Sequence, residues 1–292
     1  MGRFKMENDR LVVTIDDLGA ELVSIYDKKY SRELIWQGDP AWWKRQAPIL
    51  FPNVGKFYGG EYLYQGRHYV QDQHGFARDY VLERVEESPA SVTHRLVSNA
   101  ETRKVYPFDF ELMITHRLDG DKVDIQWQVK NTGDHPMHFT IGGHPGFNVP
   151  VLPDTEYSDY ALKFGEDQDE LHFIHIDMNT GTGLPDKVYT MTLTDHKYQL
   201  RKDLFDLDAL VFDGGQIRQA GIVMPDGSDY LTLLCDGFPN FGIWAAPGAP
   251  FVCLEPWCGR CDNFGYEGEL QDKPGINSLN VDETFKKVYS IV

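Results

Sequence analysis

Short strands separated by turn residues run through most of this 292-residue chain, and they constrain its fold more than any other feature. Residues 122–130 alternate polar and apolar side chains almost without exception and end in turn residues at 131–134. Similar strand candidates lie at residues 11–15, 21–26, 80–85, 91–97, 108–116, 187–193, 230–235 and 241–244. Many short strands with turn signals between them predict an all-β sandwich or barrel.

Helix-period segments are scarce, and the two candidates are short, at residues 40–46 and 203–205. Residues 149–186 contain many Pro, Asp, Gly and Thr residues and are predicted to be the richest in loops. No linker or change in composition divides the chain, so we expect a single domain over residues 1–292.

The charge balance restricts the partners of this protein. Against 45 Asp and Glu there are 28 Lys and Arg, which gives a net charge of −17. Such a charge argues against nucleic acid or an anionic membrane as a partner. No apolar stretch approaches the ~20 residues of a membrane helix. The first residues lack the apolar core of a signal peptide, so a cytoplasmic location is expected.

A carboxylate stands out in the apolar run FVCLEPWCGR at residues 251–260. The first residues of this run predict a buried strand, and Pro256 cannot continue a central ladder of hydrogen bonds. We therefore expect the strand to end at Glu255. Apolar neighbours there would desolvate the carboxylate and raise its pKa, as a general base requires.

Two histidines lie in glycine-containing turns far upstream, His74 in QHGFARD at 73–79 and His144 in GGHPGF at 142–147. Glycines beside each histidine would let a ligand approach the backbone closely. Either histidine alone is better explained by a structural role than by a catalytic one. Together with Glu255, they could supply an acid and a base to one cleft.

The sequence gives little support for a metal site at the histidines or for a redox role of the cysteines. His135, His138 and His144 are closely spaced, as are His172 and His175, but neither group matches a recognised zinc spacing. No metal site is predicted. The C-x-x-C at Cys258 and Cys261 follows a strand rather than opening a helix, so we expect two reduced thiols without a redox role.

Trp244 and Trp257 flank the strand that carries Glu255. Either one could offer a flat apolar face to a sugar ring, although plain core packing explains them equally well.

These motifs resemble those of the aldose 1-epimerase (galactose mutarotase) family, and most closely its LacX-like branch. The matching stretches occur in the family's order and span most of the chain: LIWQGDP at 34–40, APILFPNVG at 47–55, QHGFARD at 73–79, GHPGF at 143–147 and LEPWCG at 254–259. The resemblance implies a large β-sandwich of the galactose mutarotase type with a sugar cleft on one sheet. It also implies an isomerase that interconverts the α and β anomers of a hexose.

The resemblance further implies roles for the reacting groups. Glu255 would take the proton from the anomeric hydroxyl, and His144 would protonate the ring oxygen, so that the ring opens. His74 would hydrogen-bond the sugar. An aspartate assists in related enzymes, and Asp208 is the best match, with Asp213 as the alternative.

Lys56, Arg78 and Trp244 complete the expected substrate-binding set. The family usually has Arg where this chain has Lys56, which keeps the charge but loses the planar bidentate fork. The chemistry calls for no cofactor. The expected partner is a small-molecule sugar, and the chain is expected to act as a monomer or homodimer.

Three alternatives to this function stay open at the level of sequence. The first is a non-catalytic protein that binds or senses carbohydrate on the same fold. The second is a hexose-phosphate mutarotase, for which Lys44, Arg45, Lys56, Arg67 and Arg78 would be candidate phosphate ligands. The third is a glycosidase, which would need a second carboxylate beside Glu255.

Overall fold

The computed structural model describes residues 2–292, and β-strands make up most of its regular structure. In chain order the strands are β1 Arg3–Glu7, β2 Leu11–Asp16, β3 Leu22–Asp27, β4 Arg32–Glu33, β5 Ile49–Leu50, β6 Glu61–Tyr64, β7 Arg67–Val70, β8 Glu83–Ser88, β9 Ser91–Val97, β10 Phe110–Asp119, β11 Lys122–Asn131, β12 Met137–Phe139, β13 Ile141–Gly143, β14 Gly146–Asn148, β15 Ala161–Lys163, β16 Glu170–Ile176, β17 Gly183–Thr192, β18 Lys197–Gln199, β19 Leu210–Asp213, β20 Gln219–Val223, β21 Asp229–Leu234, β22 Asn240–Trp244, β23 Phe251–Cys258, β24 Asn277–Leu279 and β25 Thr284–Ile291. The helical segments are α1 Thr102–Val105 and the 3₁₀ turns Tyr58–Gly60, Ala77–Asp79, Tyr157–Asp159 and Leu270–Asp272. None of the helices within residues 2–292 has the length and hydropathy needed to cross a bilayer.

Two large antiparallel sheets form the body of the fold. The first has nine strands in the order β18-β15-β20-β21-β25-β11-β10-β9-β8. The second has the order β17-β16-β19-β22-β23-β13-β5, with β14 also paired to β23. Side chains of both sheets meet between them: a Cβ added at Gly143 of β13 would lie 2.9 Å from the hydroxyl of Tyr289 on β25. The predicted all-β sandwich is confirmed.

Three smaller sheets surround this sandwich. One consists of β1 to β4, the second pairs β12 with β24, and the third is the hairpin of β6 and β7. A single cluster of buried hydrophobic side chains extends in sequence from Met6 to Ile291.

The predicted helices at 40–46 and 203–205 are wrong. Residues 40–46 form a turn, in which the backbone carbonyl of Asp39 accepts from the N–H groups of Trp42 and Trp43 and its carboxylate accepts from Ala41. So short a segment cannot meet the cost of helix nucleation by itself. The region at 149–186, predicted as loop, contains β15, β16 and the start of β17.

The prediction that the strand ends at Glu255 is also wrong, because β23 continues through Pro256 to Cys258. Along one side β22 pairs with it from residue 253 to residue 257. Along the other side, β14 pairs with residues 251–253 and β13 with residues 257–258. The N–H of Leu254 points to this second side, where it donates to Pro145. The position of the missing N–H of Pro256, two residues on, therefore faces the gap between β13 and β14, and the ladder tolerates the proline there.

Candidate active site

A cleft of about 600 Å³ opens on the face of the second sheet that points away from the nine-stranded sheet. Its floor includes a small apolar cluster that contains Val54, Ala209 and Trp257. The cavity is also lined by six of the predicted site residues, His74, Arg78, His144, Asp208, Trp244 and Glu255. Residues separated by up to 181 positions in the chain therefore meet in one cavity (74 to 255).

His144 lies in the gap between β13 and β14, and its ring faces Glu255. Its Nε2 lies 3.3 Å from Oε2 of Glu255, and both side chains are buried. The turn of His144 and Pro145 occupies the same interruption of the ladder that accommodates Pro256. One break in the sheet therefore admits the proline and brings the histidine to the carboxylate.

Burial shifts these two groups in opposite directions. It raises the pKa of Glu255 well above its ordinary value, and the charge of Asp208 raises it further. It lowers the pKa of His144 to about 3, with a smaller contribution in the same direction from the charge of Arg78. A buried imidazolium is poorly solvated, so burial favours the neutral form of the His144 ring.

His74 is held by its own backbone turn. It has a positive φ of 68°, and its Nδ1 accepts a hydrogen bond of 3.0 Å from the N–H of Gly55. Burial keeps its pKa well below the ordinary value, so the ring is neutral. Because Nδ1 accepts, the proton is on Nε2, which lies 3.2 Å from the side-chain amide of Gln73. The next residue must be glycine, because a Cβ on Gly75 would lie 2.3 Å from the carbonyl oxygen of Phe51.

Basic side chains border the cleft near His74. Arg78 donates a 2.6 Å hydrogen bond to the carbonyl of Gln73, and its buried Nε makes no hydrogen bond among residues 2–292 but lies 3.9 Å from Oδ2 of Asp79. Burial lowers the pKa of Arg78 to about 10, helped by the charge of Arg45. Lys56 lies beside the cavity, where its stem packs against Gly181. Its role in substrate binding stays a prediction.

The two candidate aspartates have different surroundings. Asp208 lines the cleft and acts on the pKa of Glu255. Asp213 accepts from Nε of Arg260 with both oxygens at 3.0 Å and from the amide of Asn240 at 2.7 Å. Its carboxylate is committed to these partners and does not line the cleft, so Asp208 is the better placed of the two.

Three tryptophans give the cleft aromatic walls. Trp43, Trp244 and Trp257 all line it. Trp43 belongs to the segment predicted as a helix, and sequence reasoning did not identify it as a site residue. The signal for its role is spatial, because its ring stacks on that of His144 at 4.7 Å between centroids.

Trp257 lies flat because both neighbouring strands carry a glycine beneath its ring. A Cβ on Gly142 of β13 or on Gly242 of β22 would lie 2.4 Å from ring atoms of Trp257. We expect Gly142→Ala to displace this ring and to reduce the free energy of unfolding by about 1–3 kcal/mol. Urea unfolding and the sugar concentration at half-saturation would measure the two effects.

Gly133→Ala is the matched control, since the new Cβ would meet its neighbours at 3.4 Å or more. Equal stability and equal sugar affinity for the Gly142 and Gly133 variants would contradict the assigned role of the glycine under Trp257.

Donor atoms of His144, Cys253 and Glu255 lie within 4.8 Å of one another. Burial raises the pKa of the Cys253 thiol well above its ordinary value, and a protonated thiol is a poor metal ligand. The histidine groups weighed from the sequence do not form such a cluster within residues 2–292. The absence of a metal stays a prediction. Cys258 and Cys261 are free and buried, and only Cys261 of the two lines the cleft.

Comparisons with known proteins agree on one family. A family model described as aldose 1-epimerase matches residues 2–290. The protein LacX (chromosomal) of Lactococcus lactis subsp. lactis is 33% identical over 299 residues, which cover 98% of each chain. The crystal structure of a galactose mutarotase related enzyme from Lactobacillus acidophilus superposes with a TM-score of 0.94 at 32% identity, over 100% of this chain and 97% of the other. A galactose mutarotase-like protein from Lactobacillus casei gives 0.90 at 29% identity, over 99% of both chains.

Proposed function

This chain belongs to the aldose 1-epimerase family and is an isomerase that interconverts the α and β anomers of a hexose, and we propose that Glu255 and His144 carry its proton transfers. The observation that carries the proposal is the 3.3 Å contact between Nε2 of His144 and Oε2 of Glu255 inside the cleft.

The reaction needs a base at the anomeric hydroxyl and an acid at the ring oxygen. Glu255 removes the proton from the hydroxyl on C1 while His144 delivers its proton to the ring oxygen, and the bond between C1 and that oxygen breaks. The product is the open-chain aldehyde. Rotation about the C1–C2 bond and the reverse transfers close the ring as the other anomer. Each such proton transfer typically accelerates a reaction by about 10²–10⁴-fold.

Besides the proton that a neutral imidazole always carries, Glu255 and His144 share one titrating proton. Catalysis needs this proton on His144. Burial favours the neutral arrangement, a protonated Glu255 and an uncharged His144. Transfer of that proton across the short contact gives a carboxylate and an imidazolium, which are the base and the acid. Because the two groups are coupled, their titration belongs to the pair rather than to either residue.

The other residues of the cleft would bind and orient the sugar. His74 would donate its Nε2 proton to a sugar oxygen in place of the neighbouring Gln73 amide, and Arg78 has a buried donor at Nε that makes no hydrogen bond within residues 2–292. Asp208 would accept from a hydroxyl, and Trp244 offers an aromatic surface. These assignments agree with those implied by the sequence resemblance.

Polarimetry tests the proposed function. We expect the protein to accelerate the change in optical rotation of freshly dissolved α-glucose or α-galactose over a buffer blank, and His144→Asn to lose about 10²–10⁴-fold of that acceleration. Acceleration by wild type that His144→Asn leaves unchanged would contradict the assignment of the acid. Binding without acceleration across a panel of hexoses would indicate a sugar-binding protein.

Further parts of the proposal concern the whole chain. We propose that residues 1–292 form one domain, that the protein acts in the cytoplasm and that it is a monomer or homodimer. The buried cluster that extends from Met6 to Ile291 supports the single domain. Four free, buried cysteines fit a reducing compartment.

A further inference from the structure

Trp43 is fixed by its backbone at the edge of the cleft. Its N–H donates to the carbonyl of Asp39 at 2.9 Å, and its own carbonyl accepts from Nε1 of Trp36 at 2.8 Å. Trp36 is buried, so this anchor is shielded from water. The turn is therefore a stable support for the half-buried Trp43 ring.

The ring of Trp43 lies between groups of the site. It stacks on His144 with 4.7 Å between centroids and 29° between planes, and on Phe251 of β23 with 5.6 Å and 25°. Trp244 meets it edge-on at 5.7 Å and 76°. These are the offset-stacked and perpendicular arrangements that aromatic rings prefer.

His144 lacks the support that usually orients a reacting imidazole. Such a ring normally uses its second nitrogen in a hydrogen bond to a carbonyl or a carboxylate. Nδ1 of His144 is buried and makes no hydrogen bond to another residue in the part of the chain that the structure describes. Aromatic contacts remain: the Trp43 face, and the edge-on contacts with His74 at 81° and Trp244 at 85°.

We propose that Trp43 is a positioning residue that holds the His144 imidazole by face-to-face stacking, with Nε2 directed at Glu255 and at the ring oxygen of the sugar. The inference rests on the proposed function, since it requires His144 to be the acid. A displacement of about 1 Å in a reacting group can reduce a rate about 10²-fold. The aromatic face also favours a cation above it, and so favours the charged ring that donates the proton.

Two variants of Trp43 distinguish the effect of removing any aromatic ring from the effect of removing tryptophan itself. We expect Trp43→Leu to lower kcat by about 10- to 100-fold with KM changed less than about threefold. Trp43→Phe keeps an aromatic face and should recover most of kcat. The acidic limb of the kcat–pH profile should shift to lower pH in Trp43→Leu, because the imidazolium loses its stacked face. If Trp43 only formed a flat surface under the sugar, Trp43→Leu would raise KM and would not shift the acidic limb.

A double-mutant cycle tests whether Trp43 acts through His144. In the His144→Asn background, Trp43→Leu should cause no further loss of kcat, because there is no imidazole left to orient. Trp42→Leu is the control from the same turn, since Trp42 is 44% exposed and lies outside the cleft lining. It should keep the wild-type kcat.

The outcomes distinguish the two proposals. If His144→Asn retains the wild-type rate, the proposed function fails. If His144→Asn loses its rate while Trp43→Leu keeps the wild-type kcat, or lowers it equally in both backgrounds, the positioning role fails. If Trp43→Leu does not fold, Trp43→Phe against Trp43→Met gives the same comparison of an aromatic with a flexible apolar side chain.

Discussion

Replacing Glu255 with Gln should lower the rate of anomer interconversion by about 10³–10⁴-fold while sugar binding survives. The amide has nearly the same shape as the carboxyl group, but it cannot accept the anomeric proton. Polarimetry with fresh α-galactose measures the rate, and quenching of tryptophan fluorescence by sugar measures binding, since Trp43, Trp244 and Trp257 line the cleft.

The stability of this variant gives an independent check. Burial raises the pKa of Glu255 in the folded state, so its ionisation favours unfolding as pH rises above the ordinary carboxyl value. Glu255→Gln should therefore be at least as stable as wild type at neutral pH. Glu111→Gln, on β10 and paired with Arg95, is the control that should keep full activity. A Glu255→Gln enzyme with more than a tenth of the wild-type rate would exclude Glu255 as the base.

Acid should destabilise the fold through a histidine outside the cleft. His116 on β10 is 1% exposed, and its Nδ1 has no hydrogen-bond partner within residues 2–292. Burial lowers its pKa from 6.5 to about 3. In the unfolded chain His116 binds a proton below pH 6.5, whereas in the folded chain it binds one only below about pH 3. The free energy of unfolding therefore decreases as the pH is lowered from 6.5 to 3. Between pH 7.5 and 5, His116 alone should remove about 2 kcal/mol from the free energy of unfolding.

Urea unfolding at pH 7.5, 6 and 5 measures this loss. His116→Leu fills a similar volume without a titrating group, and its stability should fall by about 2 kcal/mol less than that of wild type over the same range. His172→Gln is the control, because the His172 side chain is 50% exposed. Parallel pH profiles for wild type and His116→Leu would show that His116 does not couple protonation to folding. His74 has a shift of the same sign and should add to the loss, whereas His144 and Glu255 share a proton and largely offset each other.

The strand pattern predicted the fold well where one face of a strand is buried. The segments at 11–15 and 122–130 became β2 and β11 with bounds within one residue, because the alternation of apolar and polar side chains in the sequence follows the alternation of buried and more exposed positions. The segment at 40–46 failed because a short turn that carries two tryptophans has the composition of a helix but too few residues to sustain one.

The sequence by itself determined which groups carry the candidate chemistry: His74, His144 and Glu255 stand out by their neighbours, and five short motifs indicate the family. Tertiary structure alone decided how they meet. Pro256 suggested the end of a strand, yet β23 passes through it, because the partner strand on that side is interrupted between β13 and β14. A local pattern cannot show a gap in a neighbouring strand that lies more than 100 residues away in the chain (144 to 255). That gap places His144 against Glu255, and the ring of Trp43 stacks on His144 at the same place.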